Sequence, residues 1–199
     1  MALTLPDLVA LYAGAGRRLY GGEAVSQRAH ALQAAHFARA AGLPDALVAA
    51  CLLHDLGHLL SEQSDDALAN GDDDLHQYRA LPFLRGLFGE AVVEPIGLHV
   101  AAKRYLCRAE PGYRAALSPA SQASLALQGG PMSEDEAAAF LARPHAAAAI
   151  ALRRCDDAAK VAGLVVADLD AYLPLLERLA ATTAGNADTP GAGDADRPM

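Results

Sequence analysis

The stretch "CLLHDLGHLL" (residues 51–60) constrains this chain more than any other. Its leucines read as buried core, yet His54, Asp55 and His58 stand among them. An isolated buried carboxylate is costly unless it is paired or coordinates a metal. Any fold that takes this segment into its core must therefore bring compensating groups to the same place.

The rest of the chain supplies helices to do so. Apolar residues recur at helical spacing almost throughout, and the spacing predicts helices over 4–17, 24–41, 45–56, 75–87, 90–105, 118–126, 133–142, 145–160 and 168–182. Gly42 closes the second and Pro44-Asp45 opens the third, while Ser133 with Glu136 forms a capping box. The apolar fraction of 53% is inflated by alanine, which suits packed helices. No strand pattern of useful length and no repeat is present. The expected fold class is all-α, a helical bundle over residues 1–181 as one domain. The stretch 182–199, "TTAGNADTPGAGDADRPM", has almost nothing to bury and is expected to be a disordered tail. Two irregular connections are expected, the acidic 61–74 and the segment 108–119.

A net charge of −8, no tryptophan and 5% aromatic residues argue against nucleic acid and anionic membranes as partners. Three unevenly spaced cysteines without a Cys-x-x-Cys pair fit reduced thiols. The start "MALTLPDLVALY" lacks a basic n-region, and no apolar run reaches membrane-spanning length. A cytoplasmic location is the expectation. The apolar start could pack on the domain or on another subunit, and oligomeric state is left open.

The seven histidines carry the functional signal. A single histidine in an apolar helix is ordinarily a satisfied core residue. His30, His54, His76 and His99 together with Asp55 and Asp156 are harder to dismiss, because they come from five helices. Four imidazoles and two carboxylates without a thiolate suit iron, manganese or zinc. Six side chains exceed what one ion needs if it keeps open positions, so a dinuclear site with Asp55 bridging uses them naturally. His36 and His145 lack evident partners, and Asp72, Asp73 and Asp74 read as a solvated loop. "QGGPM" (128–132), taken alone, is a glycine turn before the Ser133 cap.

The arrangement of His30, His54-Asp55, His76, His99 and Asp156, with "LLHDLGH", "HVAAKRYL", "LSPASQASLALQGGPM" and "LRRCDDAAK", resembles the HD-domain superfamily. Within it, the chain is most similar to the mixed-valent diiron oxygenases of phosphonate breakdown, over roughly residues 17–176. The resemblance implies one iron held by His30, His54, Asp55 and Asp156 and another by Asp55, His76 and His99. It implies that Tyr20 caps one iron until substrate arrives and that Glu23 meets the substrate's amino end. It places Lys103, Ser121, Gln128 and Arg153 among phosphonate-binding or site-ordering groups, and His58 in the pocket lining. Tyr20, Glu23 and Lys103 are its catalytic candidates.

The implied reaction uses O2 to cleave the carbon–phosphorus bond of a 1-hydroxyphosphonate, such as 2-amino-1-hydroxyethylphosphonate or its N-trimethyl analogue. Its products are phosphate and a carboxylate such as glycine. Helical spacing agrees with part of this, since Lys103 stands four residues after His99 and Arg153 three before Asp156. One departure is Cys155, where relatives carry a bulky aromatic. The same fold hosts hydrolases, so the alternative is a metal-dependent phosphohydrolase acting on a nucleotide or other phosphate ester. A non-catalytic sensor module is a third reading.

Overall fold

Leu8 and Tyr12, four residues apart on the first helix, are both buried, and the Tyr12 hydroxyl donates to the Leu52 carbonyl at 2.5 Å. The apolar start therefore packs on the body of the protein. The computed structural model describes residues 3–20, 23–60 and 71–187, all references below being to these. Helix α1 (Leu5–Ala13) starts at a capping box in which Thr4 and Asp7 satisfy each other's backbone amides. A 3-10 turn (Ala15–Arg17) follows, then α2 (Gln27–Ala40), whose N-cap Ser26 accepts from Ala29 N–H.

Helix α3 (Asp45–Leu53) buries every residue from Leu47 to Leu53. A helix apolar on all sides belongs in the middle of a fold. It is flanked by α2 and by α7 (Glu90–Ala109), while α11 (Ala146–Ala158) lies across both α7 and α2. Ala34, Ala35, Ala38, Ala49 and Ala50 are fully buried, and their small side chains let α2 and α3 approach closely. Each buried leucine here contributes about 1.5–3 kcal/mol by leaving water. A second cluster, Leu98, Ala102, Met132, Phe140, Ala146 and Ala149, joins α7 and α11 to α10 (Glu134–Leu141), which begins at the expected Ser133–Glu136 box.

The expected helices are present, with instructive breaks. The one predicted over 45–56 stops at Leu53 and resumes as a single turn, α4 (Leu56–Leu59). The one predicted over 75–87 is two single turns, α5 (His76–Arg79) and α6 (Leu81–Leu84), because Pro82 starts a new turn and cannot continue an old one. Helix α7 runs four residues past its predicted end at 105, to Ala109. The connection 108–119, expected to be irregular, contains a helical turn, α8 (Tyr113–Ala116), before α9 (Pro119–Leu127). A 3-10 turn (Leu169–Ala171) precedes the last helix, α12 (Leu173–Ala187), which continues past residue 182 where the tail was expected to begin. The remainder of that tail, 188–199, and residues 61–70 of the acidic loop lie outside the described residues. Among the described residues the only β-type pairing is an isolated bridge between Leu19 and Ser26. Among the described residues the protein is all-helical, with groups of histidines and aspartates in its core.

Candidate metal centre

The break between α3 and α4 builds the site. His54 ends α3 and Asp55 takes a non-helical backbone conformation (φ −102°, ψ 14°), a region sparsely populated and favoured at active sites. Around this corner α2 brings His30, α5 brings His76, α7 brings His99 and α11 brings Asp156. All six are buried. Two groups of donor atoms result. His30, His54 and Asp156 converge on one point, and Asp55, His76 and His99 on another.

Asp55 belongs to both. Its Oδ2 lies 3.2 Å from His54 Nε2 and 3.5 Å from His30 Nε2. Its Oδ1 lies 3.4 Å from His76 Nε2 and 3.6 Å from His99 Nε2. Asp156 is divided in another way. Its Oδ2 is held by Arg153 NH1 at 2.6 Å, which leaves Oδ1 at 3.3 Å from His30 Nε2 and 3.7 Å from His54 Nε2.

Each imidazole is oriented by its other nitrogen. Nδ1 lies 2.8 Å from the Ala159 carbonyl in His30, 2.8 Å from that of Cys51 in His54 and 2.7 Å from that of Ile96 in His99. A carbonyl can only accept, so Nδ1 carries the proton and Nε2 presents its lone pair inward. His76 uses a carboxylate instead, with Asp74 Oδ1 2.7 Å from its Nδ1. The other oxygen of Asp74 lies 2.8 Å from His58 Nδ1. The solvated-loop expectation is therefore wrong for Asp74, which is buried at the end of that acidic run. Its position two residues before His76 is the signal that could have revealed it, since an Asx side chain readily meets a backbone amide or ring two residues on. His58 stacks on His76 with ring centroids 4.1 Å apart.

Gly57 is required by this arrangement. A Cβ there would lie 2.0 Å from the His76 carbonyl oxygen, which no backbone could accommodate unmoved.

The donor set fits a pair of cations. Both Asp55 oxygens and Asp156 Oδ1 are buried without a hydrogen-bond partner. A buried polar atom left so costs about 1–3 kcal/mol, and more when charged. Three of them facing four imidazole lone pairs make a centre lacking positive charge. The titration pattern agrees. Burial pulls the His54 imidazolium down, yet Asp55 and Asp156 outweigh it and raise its pKa to about 10. Burial and the charge on His76 push His99 well below its ordinary range. The carboxylates thus draw positive charge into the centre: they hold protons on His30 and His54, which a metal would have to displace, while burial keeps His76 and His99 low and their lone pairs free.

The comparisons with known proteins agree with this chemistry. No family model matches the chain. It is 47% identical over 153 residues to the hydroxymethylphosphonate dioxygenase of Gimesia maris, covering 75% of each chain. It is 37% identical over 164 residues to the 1-hydroxy-2-(trimethylamino)ethyl phosphonate dioxygenase (glycine-betaine-forming) of Leisingera caerulea, covering 82% of this chain and 84% of that one. An uncharacterized protein of Acanthamoeba polyphaga mimivirus is 34% identical over 173 residues, covering 85% and 78%. The chain belongs to the phosphonate dioxygenase family.

As a member of that family it is an oxygenase. Tyr20 stacks on His30 with centroids 3.9 Å apart. Burial, reinforced by the charges on Asp55 and Asp156, pushes its phenol well above the usual range. Three residues along, Glu23 has a buried Oε1 without a hydrogen-bond donor. Lys103 is 3% exposed, donates to Ser124 Oγ at 2.9 Å, and is pulled down to about 7 by burial and by the nearby Arg153 guanidinium. Ser121, Ser124 and Gln128 follow one another along α9 and its C-cap, and Gln128 Oε1 is buried without a partner.

"QGGPM" is a glycine turn as expected, with Gly129 and Gly130 at positive φ, and Arg104 Nε holds it by donating to the Gly130 carbonyl. Arg153 spends its guanidinium on Asp156, Asp157 and the Tyr113 hydroxyl, so it fixes the Asp156 carboxylate. Cys155 is packed in the main core cluster, as is Cys51. Lys160, just beyond α11, was not predicted. It donates to Ser121 Oγ at 2.8 Å and lies 3.8 Å from Glu23 Oε1 and 5.7 Å from the Tyr20 ring centre.

Proposed function

We propose that this enzyme oxidatively cleaves the carbon–phosphorus bond of a small 1-hydroxyphosphonate at a mixed-valent pair of irons. The observation that carries the reading is Asp55, whose two unpartnered oxygens face two separate histidine groups. The relatives support the substrate class, since one acts on hydroxymethylphosphonate and another on a trimethylammonio analogue. His30, His54, Asp55 and Asp156 would hold one iron, and Asp55, His76 and His99 the other. A mixed-valent iron pair bound there supplies the one chemistry these side chains lack, the use of O2 to oxidise C1.

The protein's own groups do the rest. Tyr20, stacked against His30, guards one metal position and gives way to the substrate's 1-hydroxyl. Lys103 and Ser121 receive the phosphonate oxygens, because a group with up to two negative charges needs cations and donors around it. His58 lines the pocket beside His76, Gln128 offers its amide to the same oxygens, and Glu23 faces the substrate's other end. Arg153 holds Asp156 in place. Burial of the centre keeps bulk water from the reacting carbon. For hydroxymethylphosphonate the overall change is substrate plus O2 giving formate, phosphate and a proton.

A single domain over residues 1–181 in the cytoplasm is part of the proposal, in keeping with the lack, among the described residues, of a helix long and apolar enough to cross a membrane. The experiment is O2 uptake with phosphate release by the iron-loaded protein, using hydroxymethylphosphonate and 2-amino-1-hydroxyethylphosphonate in turn. Equal consumption of O2 and release of phosphate is expected, and no release under argon. Failure of both substrates, or anaerobic phosphate release from an ester, would replace this reading with the hydrolase one.

A further inference from the structure

We propose that Lys160 is a phosphonate-binding residue of this site, one that exchanges Glu23 for the substrate's anionic group. The inference rests on the oxygenase reading for the identity of the anion and on geometry for the residue.

The phosphonate needs cations, and the buried candidates are few. Arg153 is committed, with NH1 on Asp156, NH2 on Asp157 and Nε toward the Tyr113 hydroxyl 3.3 Å away. Releasing it would free a buried carboxylate that holds the metal centre together. Lys103 reaches Ser124 from α7. Lys160 reaches Ser121, one helical turn earlier on the same face of α9, and lies within 3.5 Å of Ser118 Oγ at its N-cap. Two ammonium groups from different elements thus reach hydroxyls one turn apart on one helix. Gln128, two turns beyond Ser121 on that face, adds a buried amide oxygen without a partner. Hydroxyls, an amide and two lysines around one helix face make a set suited to three equivalent anionic oxygens.

Lys160 is also held where it would be useful. Gln33 grips the backbone of the next residue twice, its Nε2 donating to the Val161 carbonyl at 2.9 Å and its Oε1 accepting from Val161 N–H at 3.0 Å. The ammonium then meets three things at once, the Ser121 hydroxyl, the Glu23 carboxylate and the face of Tyr20. At 3.8 Å the contact with Glu23 is an ion pair without a hydrogen bond, and Glu23 Oε1 has no other donor. An entering phosphonate offers Lys160 more charge at hydrogen-bond range. Its capture releases Glu23 for the substrate's far end.

The test uses the full-length, iron-loaded protein and methylphosphonate, which carries the anion but lacks the 1-hydroxyl and is not oxidised. Binding is read by calorimetry and by competition against hydroxymethylphosphonate turnover. Lys160→Met is expected to weaken methylphosphonate and to raise the KM for hydroxymethylphosphonate by about tenfold or more, the loss of one charge-assisted contact. Its kcat should stay within about threefold and its iron content should be unchanged. Lys160→Arg is expected to recover most of the affinity. Glu23→Gln, which removes the competing carboxylate, should tighten methylphosphonate. If Lys160 only ties Glu23 to Ser121, both Lys160→Met and Glu23→Gln weaken binding alike, and that overturns the proposal. So does methylphosphonate affinity within about twofold of the parent in Lys160→Met, with Lys160→Gln as the check should the methionine variant fold poorly. Should the parent bind methylphosphonate through Lys160 yet oxidise no 1-hydroxyphosphonate, the subsite stands and the oxygenase reading falls.

Discussion

The Asp74 carboxylate lies 2.7 Å from Nδ1 of His76, and that contact turns the opposite nitrogen of the ring toward Asp55. The other three inward-facing imidazoles lean on main-chain carbonyls, which cannot be removed by substitution. His76 alone among them depends on a side chain, and that makes it the most vulnerable.

Asp74→Asn should therefore loosen one metal position and spare the other. Outer contacts of this kind are worth about 10–100-fold in metal affinity. After dialysis against a weak chelator, the variant is expected to keep about one iron per chain where the parent keeps two. Retention of both, measured by elemental analysis, would show that His76 needs no such support.

Asp55→Ala should be more severe, since both of its oxygens face separate histidine groups. Both metals are expected to be lost or scattered, and turnover to fall by more than about 1,000-fold. Iron content and O2 uptake, measured on one preparation, decide the matter.

Gly57→Ala is predicted to damage the site through the His76 main chain. A methyl group placed 2.0 Å from the His76 carbonyl must push α4 and α5 apart. A loss of stability of at least about 1–3 kcal/mol is expected, the range seen when a packed site is overfilled. A lowered melting temperature together with weaker metal binding is the expected pair of results.

The pH dependence follows from Lys103, held at about 7 by burial and by Arg153. In the proposed reaction its ammonium is the form that attracts the phosphonate, so that contribution should fade as pH rises through about 7. The ratio of kcat/KM between the parent and Lys103→Met should accordingly shrink from pH 6 to about pH 8.5. Stability should move the other way. The unfolded chain keeps this proton up to the ordinary lysine range near about 10.4, so between the two values it binds more protons than the folded form. The slope with pH is then positive, and this group's cost to folding is relieved as pH rises.

Loading with metal should stabilise the fold. Three buried carboxylate oxygens wait without partners, and any cation that binds only the folded form adds about 2.7 kcal/mol at a hundred times its dissociation constant. Calorimetry of the metal-free and iron-loaded forms should show a clear rise in melting temperature, and no rise would mean the centre is satisfied without metal.

Much of this was legible in the chain, for a physical reason. Histidines and aspartates that interrupt apolar helices stand out against a background that should exclude them, so the converging set was visible before any coordinates. So was the all-helical class, because alanine and leucine repeat at helical spacing nearly throughout. The breaks were less visible. Nothing in the periodicity of 45–59 announces that the helix stops at Leu53, since the apolar pattern runs on through Leu59. Asp74 is indistinguishable in sequence from its two neighbours in the acidic run, although it alone among them is buried. Lys160 was overlooked because its role depends on Glu23 and Ser121, far away in sequence and brought together only by folding.

The corner between α3 and α4 has one more consequence. Side chains of adjacent residues on an unbroken helix would diverge by about 100° and could not serve a common centre so closely. Here a bend in the main chain sets the angle between His54 and Asp55, so the spacing of the two donor groups depends on this joint. Inserting or deleting a single residue at this corner would swing both donors away together, and the length of this joint should therefore be the least negotiable dimension in the whole enzyme.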